Sequence, residues 1–372
     1  MKHVDEYRDS HLAERLVREI RSIATRKWTL MEVCGGQTHG LLRYGIDQAL
    51  DSVVQMLHGP GCPVCVTPAK AIDHAVELSK RPGVILASFG DMLRVPGNQN
   101  SLLQAQSYGA DVRIVYSPLD AVRLAQENPA SQVVFFAVGF ETTAPATALA
   151  VLQAHQLRLE NFTVLSVHVR VLPAMQQIAQ APGCQVQGFL AAGHVCTVMG
   201  CQVYQAFVDR FQIPVVVTGF EPVDLLKGIN ECVRLLERDQ PAVINAYPRS
   251  VRDAGNIPAQ EMLEQVFQVA DGPWRGLGIM PGGSLVLRPQ YAAFDAAVRF
   301  PWSAFTQQDE EEICPSGQVM TGLILPPECP FFGTRCTPAQ PLGAPMVSSE
   351  GACAAYFSYQ LPDHQVTGES LK

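Results

Sequence analysis

The sequence predicts an α/β protein with two doubly wound, parallel-sheet α/β domains and a mostly irregular or helical C-terminal domain. Three observations lead there. Short apolar runs alternate with helical stretches through the middle of the chain, as expected of strands buried on both faces of a parallel sheet. A strand-like run ends in Gly-Phe-Glu twice, at Gly139-Phe140-Glu141 and, 80 residues later, at Gly219-Phe220-Glu221, each time before a helix start. The last hundred residues lose this rhythm and become rich in glycine, proline and cysteine.

In chain order, strands are expected at 53–57, 84–88, 112–116, 133–138, 163–167, 188–191 and 215–218. Ser117-Pro118, Thr143 with Pro145, and Pro173 mark helix starts, since proline suits the first turn. Thr67 and Pro68 are expected to open a helix over 69–80, with Thr67 as its cap. Pro281-Gly282-Gly283 reads as a turn. The division expected is a helical segment over 1–30 packed on the C-terminal domain, α/β domains over 31–125 and 126–275, and a C-terminal domain over 276–372.

The 372 residues suffice for two or three domains with real cores. A hydrophobic content of 47% against 17% charged residues excludes a disordered chain. The net charge of −8 argues against nucleic acid or an anionic membrane as partner. No apolar run reaches the roughly 18 residues of a membrane span. The first six residues, Met1-Lys2-His3-Val4-Asp5-Glu6, lack the apolar core of a signal peptide, so a cytoplasmic protein is expected. Eleven cysteines in that compartment point to metal or redox chemistry, not to a disulfide framework.

The cysteines form three sets. Gly59-Pro60-Gly61-Cys62-Pro63-Val64-Cys65 places a Cys-x-x-Cys pair in a stiff turn before a helix, whose positive end favours a thiolate. The pair reads as a redox couple or as half a zinc site, and no second Cys-x-x-Cys occurs to complete the zinc site. Cys34-Gly35-Gly36-Gln37-Thr38-His39-Gly40 exposes a sulfur beside glycines that admit close approach of a ligand; the alternative is a buried thiol at a turn. The quartet Cys314-x14-Cys329-x6-Cys336-x16-Cys353 lies in irregular chain, where a metal centre would act as a staple. Its spacings are looser than zinc knuckles, and Cys314 and Cys329 directly precede proline. A [4Fe–4S] cluster, a zinc ion and unligated thiols all remain open, with the cluster favoured. His39, Glu141, His168 and His194 are candidate cleft-lining residues, with Arg170 and Cys196 beside them; a satisfied core role is the alternative for each. Gly-x-Gly-x-x-Gly after a strand and a Gly-x-Ser-x-Gly elbow are absent, which disfavours a nucleotide enzyme or serine hydrolase.

Taken together, these segments resemble the HypD family of hydrogenase maturation factors. The matching stretches are CGGQTH at 34–39, GPGCPVC at 59–65, GFETT at 139–143, SVHVRVLPAM at 166–175, AAGHVCTVMG at 191–200 and the C-terminal quartet. The resemblance implies a scaffold that assembles the Fe(CN)2CO moiety of [NiFe]-hydrogenase with a HypC-type chaperone and a HypE-type cyanide donor. It implies a [4Fe–4S] cluster on Cys314, Cys329, Cys336 and Cys353, the Fe(II) cargo on Cys34, and a redox-active pair at Cys62 and Cys65. A freestanding iron–sulfur thiol–disulfide oxidoreductase and a zinc-stapled α/β binding protein are the competing readings.

Overall fold

A computed structural model describes residues 5–301 and 313–360. The expectation about the first six residues therefore falls mostly on 1–4, outside the described part. Among the described residues the strands are β1 (Trp28–Glu32), β2 (Val54–His58), β3 (Val84–Ser88), β4 (Val112–Ile114), β5 (Gln132–Gly139), β6 (Phe162–Val169), β7 (Gly188–Ala192), β8 (Val215–Thr218), β9 (Val243–Asn245), β10 (Phe267–Trp274) and β11 (Gly278–Leu287). They form two sheets. The first has the order β2-β1-β7-β8-β9 and is parallel throughout. The second has the order β10-β11-β6-β5-β3-β4; its β6-β5-β3-β4 part is parallel, and the β10–β11 hairpin joins antiparallel at β6.

Side chains alternate across a strand, and here both faces are buried. Val134, Phe136 and Val138 of β5 share one apolar cluster with Met31, Phe189 and Val217 of the first sheet. Val133, Phe135 and Ala137 point the other way, onto the helix Ala144–Gln156. Leu30, Leu190 and Val216 face a third cluster with the helix Pro222–Glu237. The inner faces of the two sheets thus enclose a common core. No described helix is long and apolar enough to cross a membrane.

Sheet membership departs from the expected division of the chain. β1 and β2 share a sheet with β7–β9, while β3–β6 and β10–β11 build the other. The chain crosses to the second sheet after β2 and returns for β7, so neither 31–125 nor 126–275 is one sheet, and β11 carries residues beyond 276 into the second. An apolar run does not say which sheet receives it. The N-terminal helix Ser10–Ile23 packs its Leu16 and Ile20 on the helix Pro222–Glu237, not on the C-terminal segment. Pro281-Gly282-Gly283 lies within β11, near a bulge, and the hairpin turns instead at Arg275–Leu277. Thr67 does not cap the helix Ala69–Ser79; Pro68 takes that place, and the Thr67 hydroxyl donates to Pro63 O at 2.9 Å.

Candidate functional site

The first sheet reverses its winding between β1 and β7. From β1 the chain proceeds to β2 on one side, and from β7 to β8 and β9 on the other. Such a switch point, beyond the carboxyl ends of the two strands, is the usual ligand position in open α/β sheets. Cys34 follows β1 and is the N-cap of the helix Gly35–Arg43; His194 follows β7. Their side chains meet there, with Cys34 Sγ 3.6 Å from His194 Nδ1. The His194 ring leans on Phe220, which follows β8, at 5.3 Å between centroids. Burial lowers the His194 pKa to about 4, so the ring is neutral at pH 7. Burial, and secondarily Glu32, pushes the Cys34 thiol well up, opposed by the N–H groups of Gln37 and Gly36. The resting pair is therefore a thiol beside a neutral imidazole. A soft cation would displace the proton and take the thiolate.

The Cys-x-x-Cys turn follows β2, the other neighbour of β1. A Cβ on Gly61 would stand 2.1 Å from Cys34 N, so only glycine permits this approach of the two motifs. Cys62 caps a one-turn helix, Pro63–Val66, and its sulfur accepts the Cys65 N–H at 3.2 Å. Cys62 and Cys65 are joined as a disulfide. The motif thus enters a short helix of its own, ahead of the longer one expected to follow it. Ser348 Oγ, from the C-terminal segment, sits 3.4 Å from Cys62 Sγ.

Cys314, Cys329, Cys336 and Cys353 line one cavity, together with Phe331, Phe332, Leu342 and Met346. The Leu342 N–H points at Cys336 Sγ at 3.4 Å. Burial and the three other thiols raise the Cys353 pKa. Among the described residues no three His, Cys, Asp or Glu side chains converge as a single metal ion requires. Four thiols lining one apolar cavity are soft donors of the kind that a [4Fe–4S] cluster or a zinc ion takes. The one-turn helix Ala344–Val347 packs on Pro63–Val66 and spans the gap between the two cysteine sets: Gly343 at its start abuts Cys314, and Ser348 at its end touches Cys62.

Residues 11–360 match the family model HypD, described as the hydrogenase formation hypA family. The chain belongs to the HypD family. It is 45% identical over 376 residues to hydrogenase maturation factor HypD2 of Bradyrhizobium diazoefficiens, covering 98% of this chain and 99% of that one. It is also 45% identical to hydrogenase maturation factor HypD of Escherichia coli, over 97% of this chain and 98% of the relative. The HypD of Azotobacter vinelandii is 45% identical over 96% of this chain and 97% of its own.

The other candidate residues of this HypD-family chain divide. His194 reaches Cys34. His168 is a core histidine: its ring nitrogens meet Ala137 O and Thr147 Oγ1, each at 3.1 Å, its ring stacks on Phe267, and burial lowers its pKa to about 4. It lies in β6 of the second sheet and lines a cavity there with His74, Leu165 and Leu285, apart from Cys34. Glu141 also belongs to the second sheet. It is buried, accepts the Val171 N–H at 3.1 Å, and has its pKa raised to about 7 by burial. Arg170 donates to Gly282 O at 2.9 Å, and Cys196 is fully buried. His39 packs edge-on against Tyr359 of the helix Ala352–Tyr359.

Three residues escaped sequence reasoning. Glu32 and His58 end β1 and β2, and Tyr356 lies on the helix Ala352–Tyr359. They form a buried hydrogen-bonded chain that ends at the Cys34 N–H. The available signal was position: Glu32 and His58 are the last strand residues before the two cysteine motifs, and a carboxylate closing an apolar strand needs partners.

Proposed function

We propose that this HypD-family chain is a hydrogenase maturation factor and the assembly scaffold for the Fe(CN)2CO moiety of [NiFe]-hydrogenase. The observation that carries the reading is the packing of Cys34 between His194 and the Gly61-Cys62-Pro63-Val64-Cys65 turn at the switch point of the first sheet. The relatives named as hydrogenase maturation factors support it.

Cys34 holds the iron cargo as thiolate, and a HypC-type chaperone supplies a further ligand. Low-spin Fe(II) bearing cyanide and CO suits a soft sulfur donor. Cyanide arrives from a HypE-type protein docked over the ends of β1 and β7. Phe220 and the neutral His194 ring wall one side of the sulfur and limit water there. Cys314, Cys329, Cys336 and Cys353 would hold a [4Fe–4S] cluster. When bound, it would supply single electrons. Opening Cys62–Cys65 to two thiols takes two electrons and two protons. The Cys65 N–H aimed at Cys62 Sγ stabilises the thiolate that leaves.

The test is Cys34→Ala in the chain purified anaerobically with its HypC-type partner. The infrared bands of iron-bound CN and CO should vanish. Full band intensity would remove Cys34 as an essential ligand. Turnover of a small thiol or disulfide substrate without any partner would favour a freestanding oxidoreductase instead.

A further inference from the structure

We propose that Glu32, His58 and Tyr356 form a positioning relay that ties the helix carrying Cys353 to the loop carrying Cys34. The inference rests on the proposed role of Cys34 as the iron-holding residue, and it names what sets the orientation of that residue.

The relay begins with strand register. Glu32 and His58 are direct partners across the parallel β1–β2 pair, so their side chains emerge together at the carboxyl edge. Both are buried, with side-chain exposures of 0% and 1%. The Glu32 carboxylate meets three donors from separate places in the chain. Oε2 takes the Cys34 N–H at 2.7 Å, while Oε1 takes the Thr38 hydroxyl and His58 Nδ1–H, the latter at 2.8 Å. His58 bonds to Glu32 through Nδ1 and leaves Nε2 for a further partner. His58 Nε2 lies 2.9 Å from the Tyr356 hydroxyl, and this hydrogen bond closes the chain. Tyr356 stands one turn beyond Cys353, on the same side of the helix Ala352–Tyr359. Its ring meets His58 edge-on at 5.2 Å.

A buried carboxylate with fewer partners would be costly, and apolar residues would pack these positions without that risk. What the polar chain adds is geometry. Each bond is directional, and every member depends on the next. A displacement of the Cys353 helix by an ångström breaks the Tyr356–His58 bond, frees the imidazole, and loosens the carboxylate that holds the Cys34 N–H. The Cys34 loop therefore follows the position of the C-terminal helix, and the state of the cysteine-lined cavity reaches the iron-holding thiol through it.

The experiment is peptide-resolved alkylation by iodoacetamide on the full chain, with Cys232 as the internal reference. Cys232 is fully buried in the helix Pro222–Glu237 and is no member of the hydrogen-bonded chain. Tyr356→Phe and His58→Gln should each raise the Cys34 alkylation rate about fivefold or more while Cys232 stays at the wild-type rate. The double variant should react no faster than the faster single variant, because both changes cut one chain. Cys34 rates within about twofold of wild type, or Cys34 and Cys232 rising together, would overturn the relay. Should His58→Gln fail to fold, Tyr356→Phe, which removes one hydroxyl, decides alone. No iron need be bound, so the alkylation result and the infrared result for Cys34→Ala can fail separately.

Discussion

Cys34 Sγ and His194 Nδ1 lie 3.6 Å apart although 160 positions separate them in the chain. The contact exists because β1 and β7 are hydrogen-bonded neighbours and each places its next loop over the same edge. Cys34 thus has a neutral imidazole on one side and the disulfide turn after β2 on the other.

The turn itself is constrained by Gly61. An added Cβ would meet Cys34 N at 2.1 Å and Cys34 Cα and Val33 C at 2.3 Å, all of them backbone atoms that cannot turn aside. Gly61→Ala should cost about 2 kcal/mol or more in chemical denaturation. Gly90→Ala, where the added carbon meets only Ile114 at 3.8 Å, is the control and should stay within about 1 kcal/mol. Equal effects of the two would show that the approach of the motifs is not tight.

Gly343 tests the cavity. A Cβ there would stand 2.4 Å from Cys314 Sγ, pushing that thiol out of place. Anaerobically purified wild type should carry about four iron and four sulfide per chain, and Gly343→Ala clearly fewer. Wild-type iron content in the variant would separate Cys314 from the metal site, and zinc without sulfide in the wild type would defeat the cluster.

Glu141 gives a pH signature. Burial raises its pKa to about 7 from an ordinary value of 4.5. The folded state thus prefers the protonated acid, and this contribution is fully present below about 4.5 and lost as pH rises through about 7. Glu141→Gln stays neutral and keeps an acceptor for the Val171 N–H. Its stability relative to wild type should therefore rise between pH 5 and pH 8, by up to about 3 kcal/mol. Parallel pH profiles of the two proteins would contradict the assignment.

Arg249 pairs bidentately with Asp224, whose side chain is 1% exposed, and its guanidinium stacks on Tyr7 at 3.5 Å and Tyr247 at 4.4 Å. Arg249→Met leaves a buried carboxylate without its cation and should cost about 3 kcal/mol or more. Adding Asp224→Asn should restore much of that loss. A single-variant cost below about 1 kcal/mol would mean that solvent reaches Asp224 readily.

Much of the fold is readable in the chain. Val133–Val138 and Val215–Thr218 are β-branched and aromatic runs that only a doubly buried strand accommodates, and both strands end where Gly-Phe-Glu begins. β10 and β11 are not readable, because glycines, prolines and exposed positions interrupt their pattern. β9, Val243–Asn245 between Pro241 and Pro248, and β1, Trp28–Glu32 with polar residues among its apolar ones, are also not among the strands expected.

By itself the sequence singled out the candidate residues: thiols beside glycine and proline in short motifs, whose character depends on near neighbours in the chain. The tertiary structure decided what those thiols face. The crossover after β2 and the return at β7 put Cys34 against His194, and the β1–β2 register joined Glu32 to His58. The C-terminal helix then closed the chain at Tyr356, 298 positions from His58. Such contacts come from parallel pairing between distant segments, and no local preference encodes them, because burial drives strands together without naming their partners.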